Sequence, residues 1–143
     1  MFAEFIIILD LIGVAVFAAT GSLVASRKEM DLIGFGMMAT FTGIGGGTLR
    51  DLILDRPVFW IADQRYLIVC LVIALAVLGA EIALASGISP LVSIVLGMIT
   101  ATFGGLIRDL VADEAPLLLK QEIYATAALA SAAVYVFAVT AFE

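Results

Sequence analysis

Apolar residues run along this chain in long blocks: Phe5 to Ala25 with one charge at Asp10, Leu32 to Leu49, Tyr66 to Leu84 with one charge at Glu81, Leu91 to Ile107, and Ile123 to Phe142. Each block is close to the roughly 20 residues that a helix rising about 1.5 Å per residue needs to cross a bilayer core. Lipid offers no partner to a bare peptide group, and strand-like alternation is absent, so the blocks predict helices. The predicted fold is an all-α integral membrane protein of about five spans, forming a single transmembrane domain over residues 1–143. Short polar segments separate the spans: SRKEMD (26–31), DRPVFWIADQR (55–65), SGISP (86–90) and RDLVADEAPLLLKQE (108–122). Placing Arg27 and Lys28 in the cytoplasm puts the N-terminus outside, although the next connection also carries Arg56 and Arg65.

The spans are not independent of one another. FTGIGGGTLRDL, from Phe41 to Leu52, returns as ATFGGLIRDL, from Ala101 to Leu110. A shift of 58 residues carries Thr42 onto Thr100, Gly46 onto Gly104, Gly47 onto Gly105, Arg50 onto Arg108 and Asp51 onto Asp109. This predicts two internal repeats, one over about 5–66 and one over about 75–124. Repeats of this kind are common in transport proteins, whose path lies between them.

The glycines admit two readings. Ala39, Gly43 and Gly47 fall four apart on a helix, as do Gly97, Ala101 and Gly105, and such faces let helices pack closely. A packing seam, however, needs a small residue only at every fourth position, whereas Gly45, Gly46 and Gly47 are consecutive. Each glycine costs about 1 kcal/mol against alanine inside a helix, so the triplet predicts a kinked or unwound stretch with free carbonyls. Such backbone survives at membrane depth only against protein or a water-filled cavity. With the hydroxyls of Thr42, Thr48 and Thr100 alongside, Gly43 to Gly47 and Gly104 to Gly105 are candidate pore or gate residues. They are not a nucleotide site: no Lys-Ser/Thr follows the glycines and no strand precedes them.

Charge within the spans supplies the remaining candidates. Arg50 and Asp51 are adjacent and expected to point apart; with Arg108 and Asp109 they are either interfacial anchors that stop a helix or charged groups along a path. Asp10 is read as an ion-path residue or as an interhelical hydrogen-bonding group, and Glu81 lies deeper in its span.

At 64% hydrophobic and 14% charged residues the composition does not fit a soluble surface. A net charge of −6 offers nucleic acid no basic face. The lone Cys70 reads as a small buried or lipid-facing hydrophobe, and no catalytic constellation, metal cluster or cofactor motif is legible, so neither an enzyme nor a cofactor is expected. MFAE is acidic where a signal peptide is basic, so the first block is expected to be a retained span.

LDLIGVAVFAATGSLVASRKEMDLIGFGMMATFTGIGGGTLRDLIL, followed by PVFW and GISPLVSIVLGMITATFGGLIRDL, resembles the prokaryotic branch of the trimeric intracellular cation channel family, also known as a glycine-transporter domain family. The resemblance implies seven helices, built as two inverted three-helix repeats plus one. It further implies a homotrimer in the cell's inner membrane, with a pore in each subunit gated by glycine kinks in the second and fifth helices. Two features depart from that pattern: YLIVCLVIALAV joins LGAEIALASG directly, where the family has the end of its third helix, a charged turn and the start of its fourth, and the chain stops at Glu143, before a seventh helix. With one span in place of two, the glycine-rich helices become parallel where inverted repeats need them antiparallel. The expected function is a channel for monovalent cations, potassium or sodium, in contact with membrane lipid; the alternatives are a secondary carrier of a small amino acid such as glycine, and a structural membrane-assembly protein.

Overall fold

In the computed structural model, which describes residues 2–111 and 122–142, each apolar block is a helix. They are α1 (Phe2–Arg27), α2 (Leu32–Ile53), α4 (Arg65–Ala85), α5 (Pro90–Val111) and α6 (Glu122–Phe142), with a single turn, α3 (Phe59–Ala62), inside the connection between α2 and α4. By length and composition α1, α2, α4 and α6 are able to cross a membrane, and α5 carries a shorter apolar stretch over Pro90–Phe103.

The helix ends explain the tight reversals between spans. Beyond α1, Glu29 takes a left-handed φ of 50°, Met30 N–H bonds back to Ala25 O at 3.0 Å and Glu29 N–H to Ser26 O at 2.9 Å. That double bond closes the helix, and Asp31 then caps α2 by accepting from Gly34 N–H at 2.9 Å. Asp55 (φ 51°) ends α2 in the same way, with Arg56 N–H on Asp51 O, and Gly87 (φ 78°) ends α4. Only the last of these three positions carries the residue that a left-handed φ favours.

Large side chains face outward and small ones inward. Alanines at 18, 39, 76, 80, 128 and 132 are completely buried, whereas Phe17 and Phe41 are 58% and 62% exposed. A soluble domain does the reverse; in lipid, helices associate through close backbone approach and leave their bulky residues to the acyl chains. α4 is the centre of this packing: it touches α1, α2, α5 and α6, and buried residues occur all around it, among them Val69, Cys70, Ile73, Val77 and Ala80. Among the described residues α2 and α5 make no contact, because α4 stands between them.

The contacts fix the helix directions. Tyr66 meets Asp10 at one end of α4 and Glu81 meets Ser26 at the other, so α1 and α4 run together. α2 runs against α1, with Gly21 facing Met38 and Thr42 and Gly43 facing Val14 and Ala18, and α5 runs against α4, since only residues 86–89 join them and Gly97 packs back on Ala76 and Ala80. α2 and α5 are therefore parallel, as the joined middle span requires.

Candidate functional site

The glycine triplet does not unwind its helix. α2 is continuous from Leu32 to Ile53, so the expected run of free carbonyls is absent, and α5 is likewise continuous through Gly104 and Gly105. The reason is visible in how the glycines divide their faces. A Cβ on Gly43 would sit 2.7 Å from Cys70 Sγ and 3.2 Å from Val14 O, and one on Gly47 would run into the Phe59 ring. Packing against α1, α4 and α3 thus holds the segment helical. Gly45 and Gly46 have nothing within 4 Å of a Cβ and form an open face on the opposite side. Thr42 lies against Gly21, and Thr100 is exposed, packs on Gly79 and donates to its own helix at Leu96 O, 2.8 Å. The surroundings of Gly104, Gly105, Arg108 and Asp109 lie outside the described residues.

Below the triplet, the end of α2 is tied to the connection that follows it. Arg50 and Asp51, expected to point apart, are paired: Arg50 Nη2 and Nε each lie 3.0 Å from Asp51 Oδ1. Neighbours on a helix diverge at Cβ, but the arginine stem is long enough to fold back at the last turn, where no following turn obstructs it. The second Asp51 oxygen accepts Phe59 N–H at 3.0 Å, so a carboxylate on α2 caps the first turn of α3, whose own N-cap residue, Val58, has no side chain able to do so. Asp51 is only 3% exposed and both its oxygens are engaged. The Arg50 guanidinium also lies 5.8 Å above the Phe59 ring, and Trp60 Nε1 donates to Thr48 Oγ1 at 2.9 Å, whose hydroxyl in turn donates to Ile44 O. The aromatic pair of PVFW, in a connection that reads as merely polar, is thus the plate on which the end of α2 rests.

Phe59 also packs edge-on against Tyr66, with ring centroids 4.7 Å apart. The Tyr66 hydroxyl donates to Asp10 Oδ2 at 3.0 Å, making Asp10 an interhelical hydrogen-bonding group. This places Asp10 level with the last turn of α2 and the first turn of α4, at the end of the bundle where α4 begins, and Asp10 is exposed. At the same end Asp63 and Arg65 form a second pair, at 2.6 Å, and the hydrogen-bonding guanidinium holds the Asp63 carboxyl below the usual carboxylate range.

At the far end, Ser26 donates to Glu81 Oε1 at 2.9 Å and lies 3.2 Å from the Tyr135 hydroxyl, joining α1, α4 and α6. Glu81 is therefore a held group between helices. Sequence reasoning missed Tyr135, which reaches the same serine. A cavity of about 510 Å³ opens between α1 and α6 over Val69 and Ile73 of α4, but its lining is almost wholly apolar. It suits an acyl chain better than an ion.

Comparison with known proteins gives this geometry a lineage. The sequence model of the family described as glycine transporter matches twice, over residues 7–78 and 72–140, and the overlap falls inside α4. A Vibrio cholerae UPF0126 membrane protein is 40% identical over 85% of this chain and 63% of its own length, so the chain spans somewhat less than two thirds of that relative. The Escherichia coli UPF0126 inner membrane protein YadS is 36% identical over 94% of this chain and 79% of its own. A crystal structure described as the TRIC trimeric intracellular cation channel orthologue from Rhodobacter sphaeroides is 44% identical, covering 96% of this chain and 84% of that one, with a TM-score of 0.47. The kinship rests on sequence identity and not on the superposition. The chain is a multi-pass inner-membrane protein, and it belongs to the glycine-transporter family, the family of the prokaryotic trimeric intracellular cation channels.

Proposed function

We propose that this protein conducts monovalent cations, potassium foremost, as a homotrimer. The observation that carries the reading is 44% identity, over 84% of its length, to a protein described as a trimeric intracellular cation channel. On this reading the route runs along the open face of α2 at Gly45 and Gly46. Two repeat units that share α4 fit the doubled family match.

Gly46→Leu tests this reading directly. A Cβ there meets nothing within 4 Å, and leaving glycine favours the helix by up to about 1 kcal/mol, so folded yield should hold. Potassium flux into proteoliposomes should nevertheless fall severalfold. Unchanged flux in a well-folded variant moves the route away from α2. A second reading, a carrier of a small amino acid, is favoured by the family's description as glycine transporter. It requires saturable glycine uptake with counterflow, which a channel does not show.

A further inference from the structure

We infer that Asp10 sets the preference for cations and that Tyr66 is the residue that positions it. This rests on the channel reading. Three carboxylates at the end of the bundle where α4 begins, Asp10, Asp51 and Asp63, differ in what holds them. Asp51 is held by Arg50 and by the Phe59 N–H, and Asp63 by Arg65, so each of these negative charges is cancelled by a guanidinium in contact with it. Asp10 is held by a phenol. A hydroxyl fixes the carboxylate in place and leaves its charge intact, with one oxygen engaged at 3.0 Å and the group exposed.

The fixing is itself well supported. The Tyr66 ring is 6% exposed and braced edge-on by Phe59, whose backbone is in turn anchored to Asp51. The hydroxyl therefore has little freedom to leave Asp10. A carboxylate on an otherwise apolar stretch of α1, between Leu9 and Leu11, would swing toward the nearest water if unheld. Arg50 lies within electrostatic reach of Asp10 but spends its hydrogen bonds on Asp51. The result is an exposed negative charge held at the end of the bundle where α4 begins, where it favours the approach of a cation over that of an anion.

The test is the reversal potential of the full chain in planar bilayers under a potassium chloride gradient. Asp10→Asn should lower the potassium-over-chloride permeability ratio by about threefold or more, as expected for losing one charge near a narrow route. Asp10→Glu should restore most of it. Tyr66→Phe keeps the ring and its packing on Phe59, and should give an intermediate ratio with unchanged yield and thermal stability. A merely structural tyrosine would alter yield or stability and leave the ratio alone. Unchanged ratios in Asp10→Asn and Tyr66→Phe, with a conducting wild type, overturn the inference and leave the channel reading intact. A wild type that passes no cations overturns both.

Discussion

Leucine at position 97 should stop α5 from docking on α4. A Cβ there would sit 2.5 Å from Ala76 O, 2.9 Å from the Ala132 Cβ and 3.0 Å from the Ala80 Cβ, so α4 backbone and α6 side chain are both in the way. None of these atoms belongs to a flexible side-chain end that could swing aside. Overpacking a tight core costs about 1–3 kcal/mol for added methylenes and more where backbone must move, so Gly97→Leu should lie at the top of that range or beyond it. In mild detergent the expected result is loss of the monodisperse peak in size-exclusion chromatography, or a much lower thermal midpoint. Gly46→Leu, which meets open space, is the matched control and should keep both. Equal stability of the two variants would mean that the α4/α5 seam is not packed as described.

Asp51→Ala should release the connection between α2 and α4. The substitution removes the acceptor for Phe59 N–H and the partner of Arg50 at once, at a position with little access to water. A buried donor that loses its acceptor is costlier than a pair that never formed. Trypsin cleavage at Arg56, in the segment that Asp51 ties down, should become markedly faster than in the wild type, followed by loss of the folded peak. Asp51→Asn retains an oxygen for the amide and should be milder. Because Arg50 and Asp51 cancel each other, removing both charges together, in Arg50→Gln with Asp51→Asn, leaves the net charge there unchanged and should leave the reversal potential close to wild type. A selectivity loss in that double variant with no change in proteolysis would return Asp51 to the ion route and remove it from the clamp.

Much of the fold was legible because lipid leaves the backbone so few options. Five apolar blocks became five long helices, and the parallel course of α2 and α5 followed from counting spans. What composition could not convey was the state of the glycine triplet. Helix propensity argued for a kink or an unwound stretch; α2 does not unwind, because Gly43 and Gly47 are spent on close approach to Cys70 and Phe59 and that packing outweighs the backbone cost. The Arg50–Asp51 pair was misjudged for a related reason: adjacency forbids pairing in mid-helix, yet at a terminal turn the arginine folds back. Asp10 was recognisable as a functional candidate from its apolar surroundings alone. Its partner was not, since Tyr66 is 56 residues away and nothing local marks the contact.

The parallel course of α2 and α5 makes the two faces of this protein electrically unequal. Each helix carries a partial negative charge of about half a unit at its C-terminal end and a matching positive one at its start. In a pair of inverted halves such ends fall on opposite sides, and their fields across the bilayer largely cancel. Here the C-terminal ends of both glycine helices open toward the side where α1 and α4 begin, and their fields add. The starts of α1, α4 and α6 face that same side, so three positive helix starts stand there against two negative ends, and the dipoles do not cancel across the bilayer. Equal and opposite voltages should therefore drive currents of unequal size, an intrinsic rectification written into the direction of the backbone.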